Sequence, residues 1–411
     1  MHFVGIDWSD QALDYQLRST EGHVLRAGQV KPTLEGIGEL FAALEAHGAP
    51  AEFDIAVETA HGAWVQALLD RGYVVYPVNP KTADAFREAL SAAGNKSDRI
   101  DAQVLAMFLA ACHTQLRPLQ PDDPEIITLR IACEDRLRLV HERTAKLNEL
   151  RAVLKVYYPA FLACFDDLSR EIGLKLLLKC PTQNALRGHT PRRLRNWLQR
   201  QGYPRADRVD KILAALKAPV LPVAEHLQAA KAPLVRYLAQ ALIALKAEIA
   251  ERDEEIRQHF DRMPEADWLR SLPGSGPVLA PALLACIGRD PQRFPTAADA
   301  RAFMGTAPVT KTSGGNRMRC VQFRRGCWMF ARRTLQLLAQ TSLRSCPWAQ
   351  TFYRRQRDSG HRHHAALRAL AHKWLKIILA MKRTGSRYDE HVFTHSQDRY
   401  LLNSERTAAI T

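Results

Sequence analysis

The first 115 residues alternate between short apolar runs and longer segments with helical periodicity. Short apolar or alternating runs bounded by turn residues are typical of strands. The expected strands are Phe3–Asp7, Leu13–Arg18, Val24–Arg26, Asp54–Glu58 and Tyr73–Pro77. Helices are expected at Leu34–Ala46 and Ala63–Arg71, from Lys81, and from Ser97 to about Cys112. This order predicts a mixed α/β sheet with helices on its faces.

Two later segments have apolar residues spaced three and four or seven apart. The first, Pro124–Tyr158, has Leu129, Cys133, Val140, Leu147 and Leu154, and the second has Val235, Leu238, Leu242, Leu245, Ile249 and Ile256. This spacing is typical of a coiled-coil seam or of an antiparallel helical hairpin. The pattern leaves open whether the two helices pack only on each other or form a dimerisation arm. Residues 159 to 230, between them, are predicted to be a small helical insert.

Changes in amino-acid composition and in the hydrophobic pattern predict four regions along the chain. They are an α/β domain at 1–115, coiled-coil helices with the insert at 116–262, a mostly α basic domain at 263–388, and a polar tail at 389–411. The last region is expected to fray, as chain ends commonly do.

The positive charge is concentrated in one of these regions. The whole chain carries a formal net charge of +15, but residues 301 to 388 contain nineteen Lys or Arg and one acidic residue, Asp358. That segment therefore has a formal net charge of +18, and the rest of the chain is close to neutral. Such a concentration favours a nucleic-acid partner over a general effect on solubility.

Other classes of protein fit the sequence poorly. The eight cysteines are scattered without a CxxC pair, and no secretion signal is evident, so neither a zinc site nor a disulfide framework is expected. No apolar stretch approaches the roughly 20 residues of a membrane span. We expect a cytoplasmic protein with reduced thiols.

Four acidic residues stand where a metal site would need them. Asp7 and Glu58 each end a strand-like run, and Asp98 and Asp101 lie one turn apart after Ser97, a residue type that commonly begins helices. Each alone is more often a capping or salt-bridged acid. Together they would form an all-oxygen site suited to Mg²⁺, which can act in pairs on phosphodiesters.

A second candidate site lies in the basic region, around Ser313. Two glycines after this serine would let the backbone approach a phosphate closely. The residues expected to contact nucleic acid here are Lys311, Gly314, Gly315, Arg317, Arg319, Arg324 and Arg325. No histidine lies nearby in sequence, so activation of the hydroxyl would have to come from another domain or a metal. The alternative is a flexible loop whose serine only contacts phosphate.

A Pro-Gly-Ser-Gly turn precedes an apolar helix at Gly274, Ser275 and Gly276. It resembles half of a helix-hairpin-helix, in which turn amides hold a DNA phosphate at a helix N-terminus. We therefore expect Gly274 and Gly276 to bind nucleic acid. Ser275 is the competing candidate nucleophile, in a turn better suited to backbone contacts.

The order strand-Asp, strand-Glu, helix-Asp-Asp resembles the RNase H-like fold of RuvC-type resolvases. The whole chain resembles the insertion-sequence-110 family of DEDD transposases. The segments that carry the resemblance are Gly5–Asp7, Val57–Thr59, Lys96–Ala102, Leu272–Pro277, Phe303–Gly305, the run to Gly315, and Arg383–Gly385.

The resemblance implies that the four acids hold Mg²⁺ and that Ser313 attacks the scissile phosphate, forming a transient phosphoserine link to DNA. It also implies a homo-oligomer with sites assembled between subunits, and a structured noncoding RNA that pairs with donor and target DNA. The chain departs from the family through its long insert and through Ser97, where threonine is frequent. The insert puts the assembly geometry in doubt.

Two other functions remain open from the residues alone. One is a metal-dependent junction nuclease in which water is the nucleophile and Ser313 only grips phosphate. The other is a non-catalytic nucleic-acid-binding assembly factor with a degenerate metal site.

Overall fold

The computed structural model describes residues 1–59, 62–90, 97–120, 123–202, 206–217, 223–294, 296–313, 318–322, 324 and 326–392. It divides into two compact units, residues 1–121 and 122–411. None of the helices in these ranges combines the length and apolar character that a membrane crossing requires.

The first unit is built on one five-stranded sheet. Its strands are β1 (His2–Trp8), β2 (Leu13–Ser19), β3 (Val24–Val30), β4 (Phe53–Val57) and β5 (Val74–Pro77). Its helices are α1 (Leu34–Glu45), α2 (Ala63–Asp70), α3 (Pro80–Leu90) and α4 (Asp98–Cys112). The spatial order is β3-β2-β1-β4-β5, with the first three strands antiparallel and β1, β4 and β5 parallel. The predicted mixed α/β sheet is confirmed.

Side chains of β1 alternate between the two faces of the sheet, as the two-residue period of a strand requires. Val4 and Ile6 belong to a core that includes residues of α1 and α2, whereas Phe3 belongs to a second core with residues of α3 and α4. Gly5 and Asp7 share the face of Phe3. The alternation therefore directs Asp7 to the α4 side of the sheet.

The second unit is mostly helical. Its helices are α5 (Pro124–Tyr157), α6 (Pro159–Leu162), α7 (Glu171–Lys179), α8 (Gln183–Arg187), α9 (Pro191–Arg200), α10 (Ala206–Lys217), α11 (Glu225–Asp261), α12 (Ala266–Arg270), α13 (Gly276–Ile287), α14 (Ala297–Phe303), α15 (Met329–Ser342), α16 (Pro347–Asp358) and α17 (His363–Thr384). It also contains β6 (Val309–Ser313) and β7 (Met318–Gln322). The short helices α6 to α10 lie between α5 and α11 in the sequence.

The long helices α5 and α11 pack antiparallel within one chain. An Arg136–Asp253 ion pair joins them, and Lys146 Nζ lies 3.5 Å from Tyr237 Oη. At one end of the helical pair, Leu150 and Leu242 belong to a hydrophobic core that includes residues of the insert. At the other end, Leu129 and Ile256 belong to a second core, which includes residues of α12 to α17. The apolar spacing thus serves an antiparallel helical pair that connects two cores.

The segment around Ser313 differs from the loop that its sequence indicated. β6 and β7 form an antiparallel hairpin, with Val309 opposite Gln322 and Ser313 opposite Met318. Val309, Thr310 and Thr312 are β-branched, and such residues fit a pleated strand better than a loop. Ser313 is therefore the last residue of a strand, within a domain that was expected to be mostly α.

Candidate active site

Asp7 and Glu58 lie side by side at the carboxyl edge of the parallel strands. β1 and β4 are neighbours, and their last paired residues are Ile6 and Val57. Asp7 is the next residue of β1, and Glu58 directly follows β4. The carboxyl edge of an open α/β sheet is where such folds commonly bind ligands.

Asp98 and Asp101 occupy the first turn of α4. The Ser97 hydroxyl accepts a hydrogen bond from the Ile100 amide and caps this helix. The expected cap and helix start are therefore present. Asp98 is exposed, whereas Asp101 is only 8% exposed. A carboxylate buried to that extent requires a compensating partner.

The pKa of Asp7 responds to the charges of the other three acids. Burial is the largest cause that raises the pKa of Asp7 to about 6, and the negative charges of Glu58, Asp101 and Asp98 contribute to this increase, while the Trp8 amide that donates to its Oδ1 at 3.0 Å acts in the opposite direction. Repulsion from three carboxylates requires all three to lie within electrostatic range of Asp7. The four predicted acids therefore form one acidic cluster.

The donor set of this cluster fits a hard divalent cation. All four side chains offer carboxylate oxygens, the ligands that Mg²⁺ prefers. Their mutual repulsion would be relieved by positive charge. Across the described ranges, no three His, Cys, Asp or Glu side chains converge closely enough to hold one ion in this conformation. Asp7, Glu58, Asp98 and Asp101 are the residues that could hold the metal after side-chain adjustment.

Arg87 of α3 is a member of the site that the sequence did not reveal. Its Nη1 donates to Asp101 Oδ1 at 2.5 Å, and its Nη2 donates to Asp84 Oδ1 at 2.5 Å. The hydrogen bond to Asp101 is the largest influence raising the pKa of Arg87. This guanidinium leaves the second oxygen of Asp101 outside the ion pair. The only signal in the sequence was a basic residue in a predicted helix.

The packing role of Gly5 is the second feature of the site that the sequence did not reveal. A Cβ at this position would lie 2.0 Å from the Ala102 carbonyl oxygen and 2.4 Å from the Ala106 nitrogen. The absence of a side chain lets the α4 backbone approach β1 directly. This contact sets the distance between the Asp7 strand and the helix that carries Asp98 and Asp101.

Ser313 and the basic residues Lys311 and Arg319 lie on the β6–β7 hairpin. Lys311 is opposite Cys320, and Arg319 is opposite Thr312. Arg324 follows β7, and its carbonyl accepts from Arg332 Nη1 at 3.1 Å. The predicted contacts at Gly314, Gly315, Arg317 and Arg325 lie outside the described residues.

The two glycines of the Pro-Gly-Ser-Gly turn have different surroundings. Gly274, at φ +80°, lies against the end of α15, where a Cβ would come 2.8 Å from the Ser342 nitrogen. Gly276 begins α13 and has open space around it. Ser275 is 1% exposed and its Oγ lies 3.5 Å from the Arg270 carbonyl oxygen. Burial makes Ser275 unsuitable as a nucleophile for DNA.

Comparison with known proteins places both halves of the chain in one family. Residues 4–159 match the IS110 DEDD transposase family model, and residues 266–354 match the model of the IS116/IS110/IS902 transposase family. The first match covers the sheet with its acidic cluster, so this unit is an RNase H-like DEDD domain. The second match covers both the Pro-Gly-Ser-Gly turn and the serine hairpin.

Full-length relatives agree with these matches. The putative transposase of the IS117 mini-circle of Streptomyces coelicolor is 29% identical over 94% of this chain and 95% of its own length. An IS116 protein of Streptomyces clavuligerus is 31% identical over 80% of this chain and 79% of its own, and an IS900 protein of Mycobacterium paratuberculosis is 30% identical over 93% and 92%. The chain therefore belongs to the IS116/IS110/IS902 family of transposases.

Proposed function

We propose that this transposase cleaves and exchanges DNA strands of an insertion sequence through the hydroxyl of Ser313, assisted by Mg²⁺ at the acidic cluster. The observation that carries the proposal is that Glu58, Asp98 and Asp101 lie within electrostatic range of Asp7 and, together with burial, raise its pKa. Four carboxylates held together at the edge of a sheet are costly unless positive charge joins them.

The metal site is assigned to the oxygens of Asp7, Glu58, Asp98 and Asp101. When bound there, a pair of divalent ions would stabilise charge on the attacking and departing oxygens of a phosphodiester. Arg87 would keep Asp101 in one orientation, because its guanidinium occupies Oδ1. An outer partner of this kind commonly orients metal ligands.

Strand exchange through a serine conserves the number of phosphodiester bonds. The Ser313 hydroxyl would lose its proton as its oxygen attacks phosphorus, one phosphorus–oxygen bond of the DNA would break, and the departing oxygen would take up a proton. The resulting phosphoserine ester retains a phosphodiester bond for attack by the hydroxyl of the other strand. The surrounding basic residues would neutralise phosphate charge during these steps.

The family resemblance also supports two assignments of partners. We assign donor and target DNA to the basic second unit, and a structured noncoding RNA as the guide that selects them. A homo-oligomer, a dimer or a tetramer, would bring several chains to the two DNA molecules.

The test is covalent capture on a suicide DNA substrate that cannot be religated, with RNA and Mg²⁺ supplied. Wild type should form a protein–DNA adduct, and Ser313→Ala should form none. The control is Ser271→Ala, at a serine whose hydroxyl donates to the Trp268 carbonyl, 2.6 Å away, and this variant should retain the adduct. Hydrolysed ends without an adduct in wild type would instead identify water as the nucleophile.

A further inference from the structure

Several cationic side chains lie together at the base of the β6–β7 hairpin. This hairpin-base cluster consists of Arg301, Thr306, Arg324, Arg332, Arg368 and His372. Arg301 comes from α14, Arg332 from α15, and Arg368 and His372 from successive turns of α17. Thr306 precedes β6 and Arg324 follows β7, so the two ends of the hairpin belong to the cluster.

Electrostatic effects show how close these groups lie. Burial is the largest cause that lowers the pKa of His372 to about 4, and the positive charges of Arg301, Lys376 and Lys373 contribute to this decrease. Burial also lowers the pKa of Arg368, and the charge of Arg332 adds to that effect. The cluster therefore holds like charges near one another in a partly desolvated environment, which favours the binding of an anion.

Direct contacts join the remaining members. The Thr306 amide donates to the Arg301 carbonyl at 3.0 Å, and Arg332 Nη1 donates to the Arg324 carbonyl at 3.1 Å. Gly305, at φ +68°, completes the packing, since a Cβ there would lie 3.1 Å from Arg332 Cδ. The strand ends and α15 therefore meet at one place.

Four polar atoms of the cluster are buried and have no hydrogen-bond partner among the residues that the structure describes. They are Arg301 Nε, Thr306 Oγ1, Arg324 Nε and His372 Nδ1. Within the described ranges, no carboxylate forms an ion pair with Arg301, Arg324 or His372. An unsatisfied buried polar atom typically costs about 1–3 kcal/mol. Four at one place indicate a site whose ligand supplies the missing acceptors.

We propose that the hairpin-base cluster binds a phosphate group of a nucleic-acid backbone, separate from the phosphate that Ser313 attacks. Phosphate oxygens accept hydrogen bonds from guanidinium and hydroxyl groups, and the negative charge compensates the crowded cations. Ser313 lies four residues along β6 from Val309, a separation of about 13 Å at ~3.3 Å per residue. The site would hold a neighbouring phosphate and fix the hairpin relative to the DNA or RNA strand. Only the choice of a nucleic acid as the source of the phosphate rests on the proposed function.

Inorganic phosphate is the first probe, measured by thermal unfolding against chloride at equal ionic strength. Phosphate should raise the Tm of wild type above its value in chloride, and Thr306→Val and Arg324→Gln should each lose most of this increase. Without phosphate, both variants should unfold no earlier than wild type, because Thr306 Oγ1 and Arg324 Nε have no hydrogen-bond partner among the described residues. The matched control is Arg257→Gln on α11, which removes the same charge from an exposed arginine paired with Glu254 and Asp261. It should retain the full phosphate effect, and equal effects in all four proteins would overturn the site.

A labelled DNA oligonucleotide and its RNA counterpart form the second arm. Arg324→Gln should weaken binding of at least one of them about tenfold and reduce the salt slope by about 1, the change expected for one lost phosphate contact. Arg257→Gln should leave both unchanged. Loss of the phosphate effect with unchanged oligonucleotide binding would assign the site to free phosphate and overturn the backbone assignment. Ser313→Ala should retain both kinds of binding, so failure of the adduct experiment would not remove this site.

Discussion

Gly5 of β1 lies directly against the Ala102 carbonyl of α4, with only 2.0 Å available where a Cβ would stand. The same face of β1 carries Asp7, and the same end of α4 carries Asp101. Because the helix backbone rests on the strand, residues distant in sequence share one small volume. The acidic cluster thus depends on a residue that contributes no side chain to it.

Gly5→Ala should therefore separate α4 from the sheet. We expect a loss of more than about 2 kcal/mol in the free energy of unfolding, since inserting a methyl group into a packed core commonly costs 1–3 kcal/mol and the neighbours here are backbone atoms. Urea denaturation measures this loss. Gly38→Ala in α1 is the control, because a Cβ at that position would have no neighbouring atom within 4 Å and the helix should gain roughly 0.5–1 kcal/mol. Equal effects of the two substitutions would contradict the packing argument.

The raised pKa of Asp7 predicts how the stability of the protein changes with pH. Its pKa is about 6 in the folded protein, against an ordinary value of 3.8, so the folded state holds this proton more tightly than the unfolded state. Its contribution to stability is therefore greatest below about pH 4 and declines as pH rises to about 6. Asp7→Asn removes the repulsion and should stabilise the metal-free protein by roughly 1–2 kcal/mol above pH 6, after allowance for solvent screening.

Unfolding in EDTA from pH 4 to pH 8 tests this behaviour. The difference between Asp7→Asn and wild type should grow with pH and level off above about pH 7. Adding Mg²⁺ should stabilise wild type more than the variant at the high end, because a cation relieves the same repulsion. A variant that is less stable than wild type at pH 8 without metal would show that the carboxylates do not repel one another there.

Much of this arrangement could be predicted from the sequence, for identifiable reasons. Asp7 and Glu58 end buried strands, and the run after Ser97 begins a helix, so local patterns located all three elements that carry the acids. Arg87 and Gly5 were missed because their roles arise from the approach of α3 and α4, which no local pattern records.

The expectation of a loop at Ser313 was wrong, whereas the role of Ser313 as a nucleophile stays a prediction. Thr310, Lys311 and Thr312 precede two glycines, and this polar composition favours a loop. The β-branched residues instead pair across the chain with Met318–Gln322. The polar composition of this segment therefore did not indicate β6, which is stabilised by pairing with β7.

Arg87 is expected to stabilise the acidic cluster when no metal is bound. Arg87→Met would leave Asp101 buried without its counter-ion, and breaking a buried pair from one side typically costs about 3–5 kcal/mol. Since Arg87 and Asp101 retain partial solvent contact, the loss in free energy of unfolding, measured with urea in EDTA, should be smaller than this but larger than that of Asp84→Asn. Asp84→Asn is the control, because it removes the exposed partner of the same guanidinium and should cost less than about 1 kcal/mol. A small effect of Arg87→Met would mean that Asp101 is compensated by other groups.

The division of labour between chains can be tested by mixing two inactive variants. Asp7→Asn should lack the metal function and Ser313→Ala the nucleophile, so neither should exchange strands alone. If the two functions come from different subunits, as the family resemblance implies, a mixed oligomer contains some sites with both functions intact. Co-refolded or co-expressed variants should then recover a measurable fraction of wild-type strand exchange. If each site draws both functions from one chain, every site in the mixture lacks one of them and activity stays at the level of the single variants. A mixture of Asp7→Asn with Glu58→Gln is the control, since both changes disable the metal function and no pairing of subunits restores it.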